Sequence, residues 1–177
     1  MGTAAAFVPE KLVIAILCSR PGKRARLHEA LETRWGRIDT ECDPFPFTWT
    51  HYYDAEMGGA IERSFVSFER LVDPAALAGI KGETNRLEDE LREEGGRTVN
   101  LDPGLMALSR FSLATTKESA HRIPLSNGIY GEITLLYAHG AFRPLPWTYP
   151  DYRAEPTLTV LAGIRGLYKG QLEAAPR

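Results

Sequence analysis

Leu12-Val13-Ile14-Ala15-Ile16-Leu17-Cys18 is an unbroken apolar run, bounded by Lys11 on one side and by Ser19-Arg20-Pro21-Gly22 on the other. A run of strand length without polar alternation suits a strand covered on both faces, which places it at the centre of a layered α/β fold. Directly after it, Leu27, Leu31 and Trp35 recur every fourth position from Lys23 onward, and Gly36 supplies a stop, so the spacing predicts an amphipathic helix. A second helix is marked by Asp73 as cap, Pro74 at its first position, and Leu77, Ile80, Thr84, Leu87 and Leu91 at spacings of three and four before Gly95-Gly96. Between the helices lie a short segment from Arg37 to Glu41, an aromatic stretch from Phe45 to Tyr53 and a strand from Arg63 to Glu69; a further strand spans Arg97 to Leu101. The order strand, helix, strand, strand, helix, strand is the split βαβ order of a ferredoxin-like sandwich, with the aromatic segment inserted before the third strand. The fold class expected is α/β, in its α+β form.

The remainder reads as a β-rich extension followed by a helix. Phe111 to Thr116 is one strand and Ile129 to Tyr137 another, with Ile129, Ile133, Leu135 and Tyr137 expected on one face and Tyr130, Glu132 and Thr134 on the other. Ser126-Asn127-Gly128 supplies turn chemistry between them, and the prolines from Arg143 to Pro150 imply an irregular stretch. The last helix, from about Pro156 to Leu172, puts Leu161, Ile164, Tyr168 and Leu172 on one side. A single globular domain over 11–172 is expected, with loose termini at 1–10 and 173–177.

A chain of 177 residues, 44% hydrophobic and 25% charged, has an ordinary globular composition. Its 23 acidic and 21 basic residues leave a net charge of -2, which offers no general field for DNA or an anionic membrane. The longest apolar run falls far short of the roughly 20 residues a membrane span needs. No basic segment followed by a long apolar one opens the chain. Cys18 and Cys42 read as free thiols, and a cytoplasmic protein is expected. Composition leaves the oligomeric state unspecified.

Phosphate loops, dinucleotide fingerprints, nucleophile elbows, His-Glu-x-x-His and paired Cys-x-x-Cys motifs are absent from the sequence. Four less standard groupings carry chemistry-bearing residues. His51-Tyr52-Tyr53-Asp54-Ala55-Glu56 places an imidazole, phenols and carboxylates together; His51, Asp54 and Glu56 are candidates for a divalent metal or for a base with its orienting partner, against the plainer reading of a solvated turn. Thr115-Thr116-Lys117 with His121-Arg122 suits a phosphate or carboxylate, or else is a charged loop. Asp102, in Asn100-Leu101-Asp102-Pro103-Gly104, ends a strand at a sheet rim and also fits an ordinary turn. Glu132 shares a strand face with Tyr130, where an acid is disfavoured unless paired, and a salt bridge to Arg122 is the simplest explanation. Finally Trp147, Tyr149, Asp151 and Arg153 lie in a rigid Pro-rich segment able to line a pocket or to lid the core.

Six of these stretches, in this order, resemble the bacterial family called domain of unknown function 4416: Phe45-Pro46-Phe47, His51 to Gly58, Val99 to Gly104, Ala114 to Lys117, His121-Arg122-Ile123 and Pro146 to Tyr152. The resemblance spans about Lys11 to Tyr168. It implies one domain and a bacterial source, and brings no activity, catalytic residue or cofactor with it.

Two functions remain open at this level. In the first, the dense polar and aromatic loops converge on one pocket for a small anionic molecule, phosphorylated or nucleotide-like. His51, Asp54, Glu56 and Glu132 would then be catalytic, with a divalent metal as candidate cofactor, and Tyr52, Tyr53, Asp102, the 115–122 loop, Tyr130 and the 147–153 segment would bind the ligand. In the second, the aromatic and Pro-rich surface is a non-catalytic module for a protein partner or RNA. The first requires the segments to lie within about 15 Å of one another, the width of an ordinary pocket.

Overall fold

The computed structural model describes residues 2–94 and 96–175. In chain order these form β1 (Glu10–Cys18), α1 (Arg24–Trp35), β2 (Ile38–Glu41), β3 (Phe45–Pro46), α2 (Asp54–Met57), β4 (Glu62–Val72), α3 (Leu77–Glu90), β5 (Val99–Met106), β6 (Arg110–Thr115), β7 (Ile123–Pro124), β8 (Tyr130–Ala138), β9 (Ala141–Pro144), α4 (Pro150–Arg153) and α5 (Glu155–Ala174). The strands make one antiparallel sheet in the order β2-β4-β1-β5-β6-β8-β7, with β3 on β4 and β9 on β8. The fold is mixed α/β, a large antiparallel sheet with five helices among the described residues.

Every residue of β1 is buried, and two layers achieve this. Leu12, Ile14, Ile16 and Cys18 pack against Leu27, Leu31 and Trp35 of α1 and Ile80 and Leu87 of α3. On the opposite face Val13 and Ala15 meet Leu161, Ile164 and Tyr168 of α5, while Leu17 packs with Phe47, Met57 and Ile61. The second face of β1 is thus shared between α5 at one end and the aromatic segment at the other. Asp73 accepts from the Ala75 amide at 2.9 Å and starts the turn into α3, as its sequence position implies.

Several expectations are corrected. Asp102-Pro103-Gly104 is no turn: β5 continues through it to Met106, because Lys11 to Cys18 of β1 pair residue by residue with Met106 to Val99 and this long-range ladder overrides local turn chemistry. Gly104 also has no room for a side chain, since a Cβ there would lie 2.5 Å from the Phe111 ring. In β8 the expected alternation breaks: Phe111 pairs with Leu135 but Ser112 with Ile133, so Thr134 is the extra residue of a bulge, Leu135 is buried and Ile133 is 39% exposed. The 143–150 stretch is not wholly irregular, since Arg143 and Pro144 of β9 pair with Leu136 and Leu135 of β8 and Pro150 opens α4 at a first helical position, where its missing N–H costs nothing. Glu10, Glu173 and Ala174, expected in the termini, belong to regular elements. Glu10 is a buried member of β1 bonded to Arg110 at 2.5 Å, and α5 runs through Glu173 to Ala174. Gly95, Pro176 and Arg177 lie outside the described residues, as does Met1.

Candidate functional site

The sheet opens where β5 and β6 part. Their pairing ends at Gly104 with Leu113, and Pro103, which has no N–H for a ladder, stands directly beyond. Past that point lies a cavity of about 640 Å³, within the usual size of a small-molecule site. Register builds its floor. Arg63 of β4 lies opposite Leu17 of β1, and Leu17 opposite Asn100 of β5; one row further, Phe65, Ala15 and Asp102 align. The middle strand therefore presents only aliphatic side chains, and the polar groups stand on either side of it.

Arg63 is the centre of this floor and is 3% exposed. Its Nη2 donates to Asp151 Oδ2 at 2.5 Å, its Nη1 stays 4.0 Å from Asp102, and the guanidinium carbon lies 5.2, 5.7 and 5.5 Å from the Phe47, Phe65 and Tyr152 ring centres. Burial works against its charge, but Tyr152, Asp151 and Asp102 outweigh it and hold the proton more firmly than usual. Lys81 of α3 reaches the same floor, giving a hydrogen bond to the Leu101 carbonyl at 2.8 Å and lying 3.5 Å from Asp102. Arg97 completes the group, bonding Glu88 at 2.7 Å, Asn100 Oδ1 at 2.9 Å and Glu56 at 2.8 Å. Burial raises the Glu88 pKa, although Lys81, Arg97 and the Leu101 amide pull it back. Tyr53 and Tyr152, both against this floor, have phenols pushed up chiefly by burial and then, for Tyr53, by Asp102.

The walls come from the aromatic segment and from the β6–β8 rim. Phe47 lies tilted against Trp49 with ring centres 5.7 Å apart and edge to face with Tyr53 at 6.0 Å. Met57 anchors the far end of the segment, its carbonyl accepting from Ser19 Oγ at 2.8 Å. Gly96 lets the neighbouring backbone approach: its φ is +136° and a Cβ would stand 2.2 Å from the Glu56 carbonyl oxygen. Across the mouth, Lys117 Nζ lies 3.3 Å from Tyr52 Oη and 4.4 Å from that ring's centre.

The family model described as Domain of unknown function (DUF4416) matches residues 8–168, nearly the whole chain. The chain belongs to this family. No curated protein and no solved structure matches the chain. The DUF4416 match covers the sheet from β1 to β9 and most of α5, and with them every residue of the cavity.

Of the residues singled out from the DUF4416 sequence, Tyr52, Tyr53, Asp102, Thr115, Thr116 and Lys117 line the cavity, as do Glu132, Tyr149 and Asp151. The others stand outside it. His51 and Asp54 bond each other at 2.7 Å in solvent, with His51 95% exposed, and Glu56 is bound to Arg97. No three His, Cys, Asp or Glu side chains gather as metal ligands among the described residues. Glu132 lines the wall but is spoken for, accepting from Arg122 Nε at 2.7 Å and Thr134 at 3.2 Å with His121 Nε2 at 3.2 Å. Arg122 also donates to Tyr149 Oη at 2.6 Å and to the Lys117 carbonyl, so it braces the rim. Trp147 stacks on His121 at 5.0 Å, Arg153 is consumed by the carbonyls of Leu145, Pro146 and Thr148, and Tyr130 pairs in the sheet with Thr115.

Arg63, Lys81 and Arg97 were missed by sequence reading, yet a signal existed for two of them. Arg63 is a charge close before the apolar Phe65-Val66 of β4, an anomaly like the one that marks Glu132. Lys81 and Glu88 interleave with Leu77, Thr84 and Leu91 at spacings of four and three, which puts both on a buried helix face. Arg97 precedes β5, which begins at Val99, and gives no such sign.

Proposed function

We propose that this chain binds a small molecule bearing an anionic group in the cavity floored by Arg63, Lys81 and Arg97. One observation carries the reading. Among the described residues, the buried polar atoms of the cavity that lack a hydrogen-bond partner are Arg63 Nε and Nη1, Arg97 Nε and the Tyr152 hydroxyl, all of which donate. No buried carboxylate oxygen among the described lining residues lacks a partner. The protein leaves these donors short of acceptors, at about 1–3 kcal/mol each, and ligand oxygens would relieve that cost once the side chains turn toward the cavity. Three carboxylates line the cavity, with side-chain exposures of 27% for Asp102, 6% for Asp151 and 1% for Glu132. Any proton transfer to a ligand therefore falls to Asp102, in preference to His51, Asp54, Glu56 or Glu132. The strand order β2-β4-β1-β5, antiparallel throughout with α1 and α3 packed on one side, supports a ferredoxin-like first half. Two free cysteines fit a reducing, cytoplasmic setting.

A second reading, a module that docks a partner, draws on the exposed apolar side chains Ile123, Leu125, Ile133 and Leu136 of the β7–β8 extension. Thermal shift against inorganic phosphate, phosphorylated metabolites and nucleotides separates the two. The first reading expects stabilisation of about 2–3 kcal/mol at about 100 times the dissociation constant, lost in Arg63→Lys. Absence of a shift with every anion, together with recovery of a bound protein, supports the second.

A further inference from the structure

We infer that the ligand is a planar heterocycle joined to an oxyanion, the chemistry of a nucleoside monophosphate. The inference rests on the anion-binding reading above and deepens it. The cavity has two chemically different parts. One is the buried donor group of Arg63, Arg97 and Tyr152, which has N–H and O–H groups without acceptors and suits the several oxygens of a phosphate. The other is the wall of Phe47, Trp49, Tyr52 and Tyr53, in which Tyr53 meets Phe47 and Tyr52 edge to face and Trp49 is tilted against Phe47. Of these rings Tyr52 is exposed and Trp49 half-buried, and a flat ligand ring gains most by lying on such an accessible face.

The two parts are also interleaved. Arg63 lies against Phe47, Arg97 lies 5.9 Å from the Tyr53 ring centre, and Lys117 lies against Tyr52. A ligand whose ring rests on this wall brings an attached oxyanion onto the guanidinium groups without bridging a long apolar gap. A sugar phosphate would fill the donor group and leave the aromatic wall against water, and an uncharged ring would leave the donors unmet. Asn85, one helical turn past Lys81, adds the reason to prefer a heterocycle over a hydrocarbon ring. It lines the cavity, and its carboxamide, which makes no hydrogen bond with the described residues, offers a donor and an acceptor side by side. Such a pair matches the adjacent donor and acceptor on a nucleobase edge.

Titration calorimetry of the full chain with adenosine monophosphate, guanosine monophosphate, ribose phosphate, phenyl phosphate and adenosine tests this. At least one nucleoside monophosphate should bind more than about 10-fold tighter than ribose phosphate, a difference set by stacking of one base, and more than about 10-fold tighter than adenosine, a difference set by the charged hydrogen bonds to the phosphate. Trp49→Ala should weaken the nucleotide by about 10-fold and leave ribose phosphate unchanged, and Asn85→Ala should narrow the gap between the nucleotide and phenyl phosphate. Circular dichroism melting of both variants confirms that they fold. Equal binding of ribose phosphate and both nucleotides overturns the heterocycle while leaving the anion site standing. Binding of adenosine as tight as the nucleotides, or of none of the five compounds, overturns the anion site with it.

Discussion

Lys11 and Arg63 are both cations buried in the same sheet, on the neighbouring strands β1 and β4, and they are satisfied in opposite ways. Lys11 is 0% exposed, and its ammonium has three donors and three acceptors: Asp39 Oδ2 at 2.5 Å, the Phe68 carbonyl at 2.9 Å and Gln171 Oε1 at 2.9 Å. Asp39 in turn accepts from Ser67 at 2.6 Å, so the network ties β1, β2, β4 and α5 together and is closed. Arg63 has one close acceptor, Asp151, and its Nε and Nη1 make no hydrogen bond, with Asp102 4.0 Å from Nη1, although the side chain is almost as sequestered. A buried charge with every donor filled is architecture, whereas one left partly unfilled over a cavity marks a place where the protein alone does not complete the bonding.

The largest effect that would break this contrast is on stability at the closed network. Lys11→Met strands Asp39 without its cation and should lower the unfolding free energy by about 3–5 kcal/mol, read from urea denaturation, with ligand affinity retained in the folded fraction. Next is Arg63→Lys, which keeps a charge for Asp151 but removes the fork. It should cut affinity for a phosphate-bearing ligand by about 10–100-fold while moving the urea midpoint little. A stability loss as large as that of Lys11→Met would make Arg63 architecture too.

Glu88 joins the two cations Lys81 and Arg97 behind the cavity and sharpens the comparison through pH. Burial raises its pKa, so the folded protein takes up this proton more readily than the unfolded chain does. Its contribution to stability therefore declines as the pH climbs through the raised value and recovers on acidification from neutrality toward it. Glu88→Gln should flatten that part of the stability–pH curve, measured as urea midpoints for the two proteins across the range. The smallest effect is at the mouth. Lys117→Ala removes an exposed contact to Tyr52 and should change stability by less than about 0.5 kcal/mol.

Local pattern made much of this legible. The apolar run of β1 and the stripes of α1 and α3 are periodic signals read without knowledge of partners, and so both helices and the central strand stand where the spacing places them. Long-range pairing was hidden. Asp102-Pro103-Gly104 carries turn chemistry and became a strand only because β1 lies beside it, and the bulge at Thr134 shifted a face that strict alternation assigned wrongly. At the site, loops dense in tyrosine and carboxylate pointed to the wall and mouth of the cavity, since polar and aromatic side chains crowd where a scaffold leaves loops exposed. Its floor lies in regular elements, where a charge such as Arg63 or Lys81 is easily passed over as one polar residue in an apolar pattern. His51, Trp147 and Arg153 were drawn in by residue type alone, and their hydrogen bonds and stacking show them occupied elsewhere.

The most direct test of the contrast watches the arginine donors themselves. In a proton–nitrogen spectrum of protein labelled at arginine side chains, the Nε–H signals of Arg63 and Arg122 are followed while inorganic phosphate and then adenosine monophosphate are added. The Arg122 Nε–H is already given to Glu132, whereas that of Arg63 is buried without an acceptor. The account predicts a saturable downfield movement of the Arg63 signal with Arg122 unmoved. An Arg63 signal that stays fixed at every concentration of both anions, or an Arg122 signal that moves alone, would contradict it.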